Sequence, residues 1–321
     1  MKQLFHYSSN AKCFSILGSK TLRMSDIQKS NDYKELDRFY PDLLSHISTQ
    51  YDNHPFPLFF DGKHDREALD LLLDSAFDIW GERFETGEFS NFVACFSESC
   101  DVLTQWQAYA DNANGCCIGF SLSALKNYCN STNGVLRLEK VKYLSPVEFI
   151  DVMVEHAKSI LSELNGLREW IVENMTMDDA DPDTDGLLWY NFSSMLGHAF
   201  TDSLRYKSKD FSHEKEWRIF FSNQAYKNTE WVLGEEREML GPNGFSETLS
   251  FLRNKISFNI TSNDIVPYFP IEFNEFKNCP VASIWVGPKS QIRKQDIVLY
   301  MKKNGYGNVG YSARLSAVLL W

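Results

Sequence analysis

Two helical blocks, near residues 34–86 and 146–206, interrupt a chain that otherwise reads as short strands, and no single motif constrains the fold as much. In the first block, "REALDLLLDSAFDIWGERF" (66–84) carries apolar residues at helical spacing. In the second, "PVEFIDVMVEHAKSILSELNGLREWIVENM" opens with a proline in its first turn, where the missing N–H costs nothing. A further helix is expected near 187–205. Strands are expected at 3–9, 21–25, 89–99, in "CCIGFSL", and at 136–144, 212–222, 281–287 and 309–314. Short helices follow the first strand, ending at Gly18, and fill 291–303. These elements do not follow the regular βα alternation of a doubly wound sheet. The expectation is a single α+β domain spanning 1–321, with helical insertions near 34–86 and 146–206.

The chain is 43% hydrophobic and 14% aromatic, ample for a large core. Its formal net charge of −11 provides no general attraction to nucleic acid or an anionic membrane. A polyanion would need a local basic patch working against that field. Seven cysteines, none in a C-x-x-C pair, point away from a zinc ribbon, a thioredoxin-type site or a disulfide framework. No window approaches the roughly 18 consecutive apolar residues of a membrane span. The reading is a cytoplasmic, reduced protein with no membrane partner.

Several tempting motifs fail on context. "GYGNVG" (305–310) spells the dinucleotide fingerprint, but a helix precedes it where a strand belongs. Gly305 reads instead as the end of that helix. "DPDTDG" (181–186) opens like a calcium loop, yet Phe192 stands where the bidentate Glu is needed. It reads as an acidic linker whose last Asp caps the next helix. "HEKEW" has Trp217 in place of the second zinc histidine, and "GPKS" (287–290) lacks the upstream glycine of a phosphate loop. No metal is expected.

What survives is "SHEKEWRIFFS" (212–222). Alternation at a period of two places Glu214, Glu216, Arg218 and Phe220 on one face, with Lys215, Trp217, Ile219 and Phe221 on the other. The second set has the apolar bulk for a core, so the acids point away from it. They form either a solvated ion-pair network with Arg218 or a catalytic pair at a cleft. Three other segments carry chemistry-bearing residues: "FHYS" with His6, Tyr7 and Ser8; "TLRMS" with Arg23 and Ser25; and "CFSE" running into "WQAYAD", with Ser97, Trp106 and Tyr109. Taken singly, a strand histidine more often bonds a neighbouring loop, and Trp106 with Tyr109 more often belongs to a core.

The order "LFHYSS … ILGSKTLRMS … SND … FSE … WQAYADNANGCCIGF … HEKEWRI … WVGPKS" resembles a bacterial family defined by a domain of unknown function. Its members share an L-Y-H-Y-T-like first strand, a W-x-x-Y-A turn before G-x-C-I-G-F and a late E-x-E-W-R-like strand. More distantly, the pattern is similar to ADP-ribosyltransferases. That resemblance implies a mixed split-sheet ADP-ribosyltransferase-like core and NAD⁺ as substrate. It implies that His6 fills the first-strand role, Ser25 or Ser97 the middle one and Glu216 the catalytic one, with Glu214 on the acceptor side.

The chemistry is coherent. Cleaving the N-glycosidic bond of NAD⁺ passes through an oxocarbenium-like state that a carboxylate stabilises. Tyr7, Trp106 or Tyr109 would stack on nicotinamide, and Arg23 suits the pyrophosphate. A strand through both acids would place Glu214 about 7 Å from Glu216, to orient or deprotonate the acceptor. The acceptor is a protein side chain or a nucleobase, and the resemblance implies a toxin or anti-phage effector with an antitoxin as partner. The rival readings are a non-catalytic interaction or sensor module on the same fold, and a metal-dependent nuclease built on His6, Asp32, Glu214 and Glu216.

Overall fold

Strand segments whose apolar residues alternate leave one face each for a shared core, and they assemble accordingly. The structure, a computed structural model, describes residues 2–27, 33–86, 92–132, 135–174, 182–221, 255–260, 263–307 and 313–315. The chain divides into two compact units. One comprises Met1–Lys29, Asn91–Lys142 and Asp210–Trp321; the other comprises Ser30–Ser90 and Tyr143–Lys209.

In chain order the elements are β1 (Gln3–Ser8), α1 (Asn10–Ser19), β2 (Thr21–Asp26), α2 (Tyr33–Asn53), β3 (Phe59–Phe60), β4 (Lys63–His64), α3 (Asp65–Thr86), β5 (Phe92–Ser97), α4 (Leu103–Tyr109), β6 (Cys116–Ser121) and α5 (Leu122–Ser131). They continue with β7 (Leu136–Lys140), β8 (Lys142–Leu144), α6 (Pro146–Asn174), α7 (Pro182–Ser203), β9 (Tyr206–Ser208), β10 (Glu216–Phe221), β11 (Ser257–Ile260), β12 (Ile265–Glu272), β13 (Val281–Val286), α8 (Lys294–Lys303) and β14 (Ala313–Leu315).

The first unit is built on a mixed sheet ordered β11-β12-β2-β5-β1-β6-β13-β14, with β10 and β7 branching from β5. Its strands pair antiparallel, apart from the parallel β13–β14 pair. One face carries the main core, including Leu4, Met24, Phe96, Ile118, Ile219 and Phe269, covered by α1 and α5. A smaller cluster of Tyr7, Trp106, Ala110, Ala113 and Cys117 lies apart from it, with Phe5 and Trp285 packed against it. In the second unit, Phe39 of α2 meets Phe149 and His156 of α6 edge-on at 6.1 and 6.2 Å. Arg66 of α3 reaches Ser48 Oγ of α2 at 2.8 Å.

Several element ends depart from expectation. Helix α1 runs through Gly18, and Lys20 takes the left-handed turn at φ 54°. Helix α7 starts at Pro182, so Asp185 lies inside its first turns and does not cap it. The 136–144 stretch is two strands, β7 and β8. Strand β10 begins only at Glu216, because Lys209–Glu214 form a 3-10 turn. Gly305 does follow α8 with φ 82°, and the Tyr306 N–H closes onto Met301 O at 2.9 Å, the expected helix ending. Asp32, Asp181 and residues 222–254 and 308–310 lie outside the described residues. Among the described residues, no helix is long and apolar enough to cross a membrane.

Candidate functional site

Strand β5 is where the sheet forks. Along one edge it pairs with β10 from Val93 to Ser97. Its other edge is shared: Phe92 and Val93 pair with Asp26 and Ser25 of β2, while Ser97 pairs with Phe5 of β1. Ser97 therefore lies between Phe5 and Glu216, joining three segments far apart in the chain. The His6 imidazole reaches the gap left between β2 and β1, with Nδ1 2.9 Å from Cys95 O.

Directly paired residues share a face, so Phe5, Ser97, Glu216 and Arg218 point one way. His6 points the other, its ring 6.0 Å from Phe96 in the main core. The structure does not bring the His6 side chain to the glutamates, because strand alternation turns consecutive residues to opposite faces. Burial lowers the pKa of His6, the Cys95 carbonyl works to raise it, and Lys12 adds to the lowering.

The face expected to be open, whether as a solvated ion-pair network or as a cleft, is buried at Glu216 and Arg218. Glu216 and Arg218 are both nearly inaccessible, and the Arg218 fork donates to both carboxylate oxygens, Nε to Oε1 at 2.8 Å and an Nη to Oε2 at 3.2 Å. Glu214 is not on the strand with Glu216. Lys215 between them adopts φ 48°, a left-handed conformation that breaks the period of two. Three backbone contacts hold this kink. Ser97 Oγ donates to Glu214 O at 2.7 Å, Glu98 N to Lys215 O at 3.1 Å, and Lys215 N to Ser212 O at 3.4 Å. The Glu214 carboxylate accepts the Tyr109 hydroxyl at 3.0 Å.

The remaining candidates fall into two groups. Trp106 is fully buried, packed edge-on against Tyr7 at 4.9 Å, with its indole N–H donating to Asp101 at 2.9 Å. Tyr7 donates to Ser99 O at 2.9 Å and accepts the Val102 N–H at 3.2 Å, and burial raises its pKa. In this arrangement both rings are core, so the expected stacking face is occupied. Ser8 is buried, and its hydroxyl has no hydrogen-bond partner among the described residues. Arg23 is exposed, over the Tyr268 ring at 4.5 Å and 3.5 Å from Asn259 Oδ1. Ser25 pairs with Val93, about 13 Å along β5 from Ser97. Of the two serines, Ser97 is the one beside the glutamates.

Beyond those expectations, Glu98 accepts both the Trp217 indole and the Lys140 ammonium at 2.9 Å. Burial works to raise its pKa, and these two donors outweigh it. The visible signal was the Glu-x-Glu-x-Arg run, which hinted at an Arg218 clamp but not at the Lys215 kink. Among the described residues, no three His, Cys, Asp or Glu side chains converge as a metal-ligand set.

Residues 105–219 match the family described as Protein of unknown function (DUF2971). The match starts just before Trp106 and ends within β10, taking in Tyr109, Glu214, Glu216 and Arg218. No curated protein and no solved structure matches the chain.

Proposed function

We propose that this protein transfers ADP-ribose from NAD⁺ to a macromolecular acceptor, with Glu216 as the carboxylate that stabilises the oxocarbenium-like transition state. The supporting observation is the position of Ser97 between β1 and β10, beside Glu216 and hydrogen-bonded to the Glu214 backbone. A forked sheet with a serine and two glutamates at the fork suits glycosidic cleavage. The Arg218 fork fixes the orientation of the Glu216 carboxylate. His6 shapes the fork from the opposite face rather than touching the reacting bond. The acceptor is a protein side chain or a nucleobase, and a toxin or anti-phage effector held by an antitoxin is the setting proposed for it.

The test is nicotinamide release from NAD⁺ by the purified protein, with and without cell lysate, beside Glu216→Gln. Lysate-dependent release that falls on the order of a hundredfold or more in the variant is the expected result. Wild-type release no greater than the blank overturns the reading.

One observation favours a second reading, a non-catalytic interaction module. A Glu216–Arg218 pair this buried is also what a structural ion pair looks like. On that reading Glu216→Gln lowers the melting temperature and the wild type releases no nicotinamide.

A further inference from the structure

Glu214, like Glu216, is almost wholly buried, at 6% exposure. Its carboxylate is nevertheless linked to an accessible group. Tyr109 is 40% exposed, and its hydroxyl donates to Glu214 Oε1 at 3.0 Å. Each neighbour fixes that phenol. Tyr109 is the last residue of α4, three residues after the fully buried Trp106 and just before the fully buried Ala110. Glu214 is fixed as firmly from its backbone, through Ser97 Oγ. The hydrogen bond therefore joins two anchored residues across one sheet face, one buried and one 40% exposed.

We propose that Tyr109 is a catalytic residue that relays the acceptor's proton to Glu214. This rests on the transferase reading above. As the acceptor nucleophile attacks, its proton passes to the Tyr109 oxygen while the phenol's own proton passes to Glu214 Oε1. The bond from nucleophile to ribose C1′ forms as the C1′–N bond to nicotinamide breaks. The electron pair of that bond leaves with the ring, which becomes neutral. No electrons are exchanged with another reactant, and Glu214 returns its proton to solvent between turnovers. Water entering at the fork bypasses the relay, because hydrolysis of an oxocarbenium-like centre demands little of a base.

The experiment compares acceptor-dependent and acceptor-independent nicotinamide release in wild type, Tyr109→Phe and a protein carrying 3-fluorotyrosine at position 109. Melting temperature is recorded for each. Tyr109→Phe keeps the ring and its packing, so folding should be retained. The relay predicts a loss on the order of a hundredfold in acceptor-dependent release, the usual worth of a positioned acid–base group. Acceptor-independent release should fall far less than that. Fluorination acidifies the phenol and should shift the pH profile of transfer to lower pH, which a purely structural tyrosine would not do. Equal loss of both activities, unchanged transfer, or an unshifted pH profile overturns the relay while leaving the transferase reading in place. A wild type that releases no nicotinamide removes both.

Discussion

Lys215 is a lysine where the backbone favours glycine. At φ 48° its Cβ crowds the following carbonyl, at a cost of about 1–2 kcal/mol. The side chain is exposed. Strain of this kind at an exposed residue between two buried acids marks a position held by its surroundings, here by Ser97, Glu98 and Ser212. Lys215→Gly should therefore stabilise the fold, by about 0.5–1 kcal/mol after the extra chain entropy of glycine is counted. The midpoint of denaturant unfolding reads this directly, and an unchanged or lower midpoint would mean that the kink carries no strain. The same residue explains why the Glu-x-Glu face was only half legible. Period-two alternation from Glu216 onward matches β10, but nothing in "HEKEW" announces a left-handed lysine, so Glu214 was expected on a strand it does not join.

At the scale of elements, the turn from α4 into β6 ties together pieces that the sequence shows only as letters. Asp111, Asn112 and Ala113 are all left-handed, with φ of 51°, 49° and 69°. Gly115 then passes so close to the β1–α1 junction that an added Cβ would lie 2.2 Å from Ser8 O. The "WQAYADNANG" run was readable as a motif through Trp106 and Tyr109, three apart on a helical turn ahead of an Asn/Gly turn. The reason for its glycine was not readable, since the contact comes from a strand about a hundred residues away. Gly115→Ala and Gly166→Ala should accordingly move stability in opposite directions. At Gly115 the new methyl meets backbone that cannot swing aside, a cost of about 1–3 kcal/mol or more. At Gly166, inside α6 with nothing within 4 Å of the added Cβ, alanine should stabilise by about 0.5–1 kcal/mol. Calorimetric melting of the two single variants decides it: stabilisation by Gly115→Ala would refute the contact at Ser8, and destabilisation by Gly166→Ala would refute the open space at α6.

For the whole molecule, most helices and short strands were visible as apolar periodicity, while the sheet order that makes the site was not. Strand β12 lies inside the sheet between β11 and β2 despite Pro267 and Pro270, residues that argue against an interior strand. Nor does any local pattern say that β5 shares one edge between β1 and β2. Those pairings place His6 in the gap of the sheet, and this has a consequence for stability against pH. In the fold, burial holds the His6 pKa below the ordinary 6.5. Above 6.5 the ring is neutral in both folded and unfolded chains, and it contributes no pH dependence. As pH falls below 6.5 the unfolded chain takes up the proton first, so stability declines toward the folded value. Glu98 acts in a separate, lower window. Its carboxyl sits below the ordinary 4.5, so its contribution is complete above 4.5 and is lost as pH falls through its folded pKa. Replacing His6 by Asn keeps an N–H within reach of the Cys95 carbonyl and removes the titration. Melting temperature followed from pH 7.5 to 4 should fall from about 6.5 downward in the wild type. In His6→Asn it should stay flatter until the carboxylates begin to protonate. Parallel curves for the two proteins would show that His6 titrates as it does in water, and that the gap between β1 and β2 admits solvent to the ring.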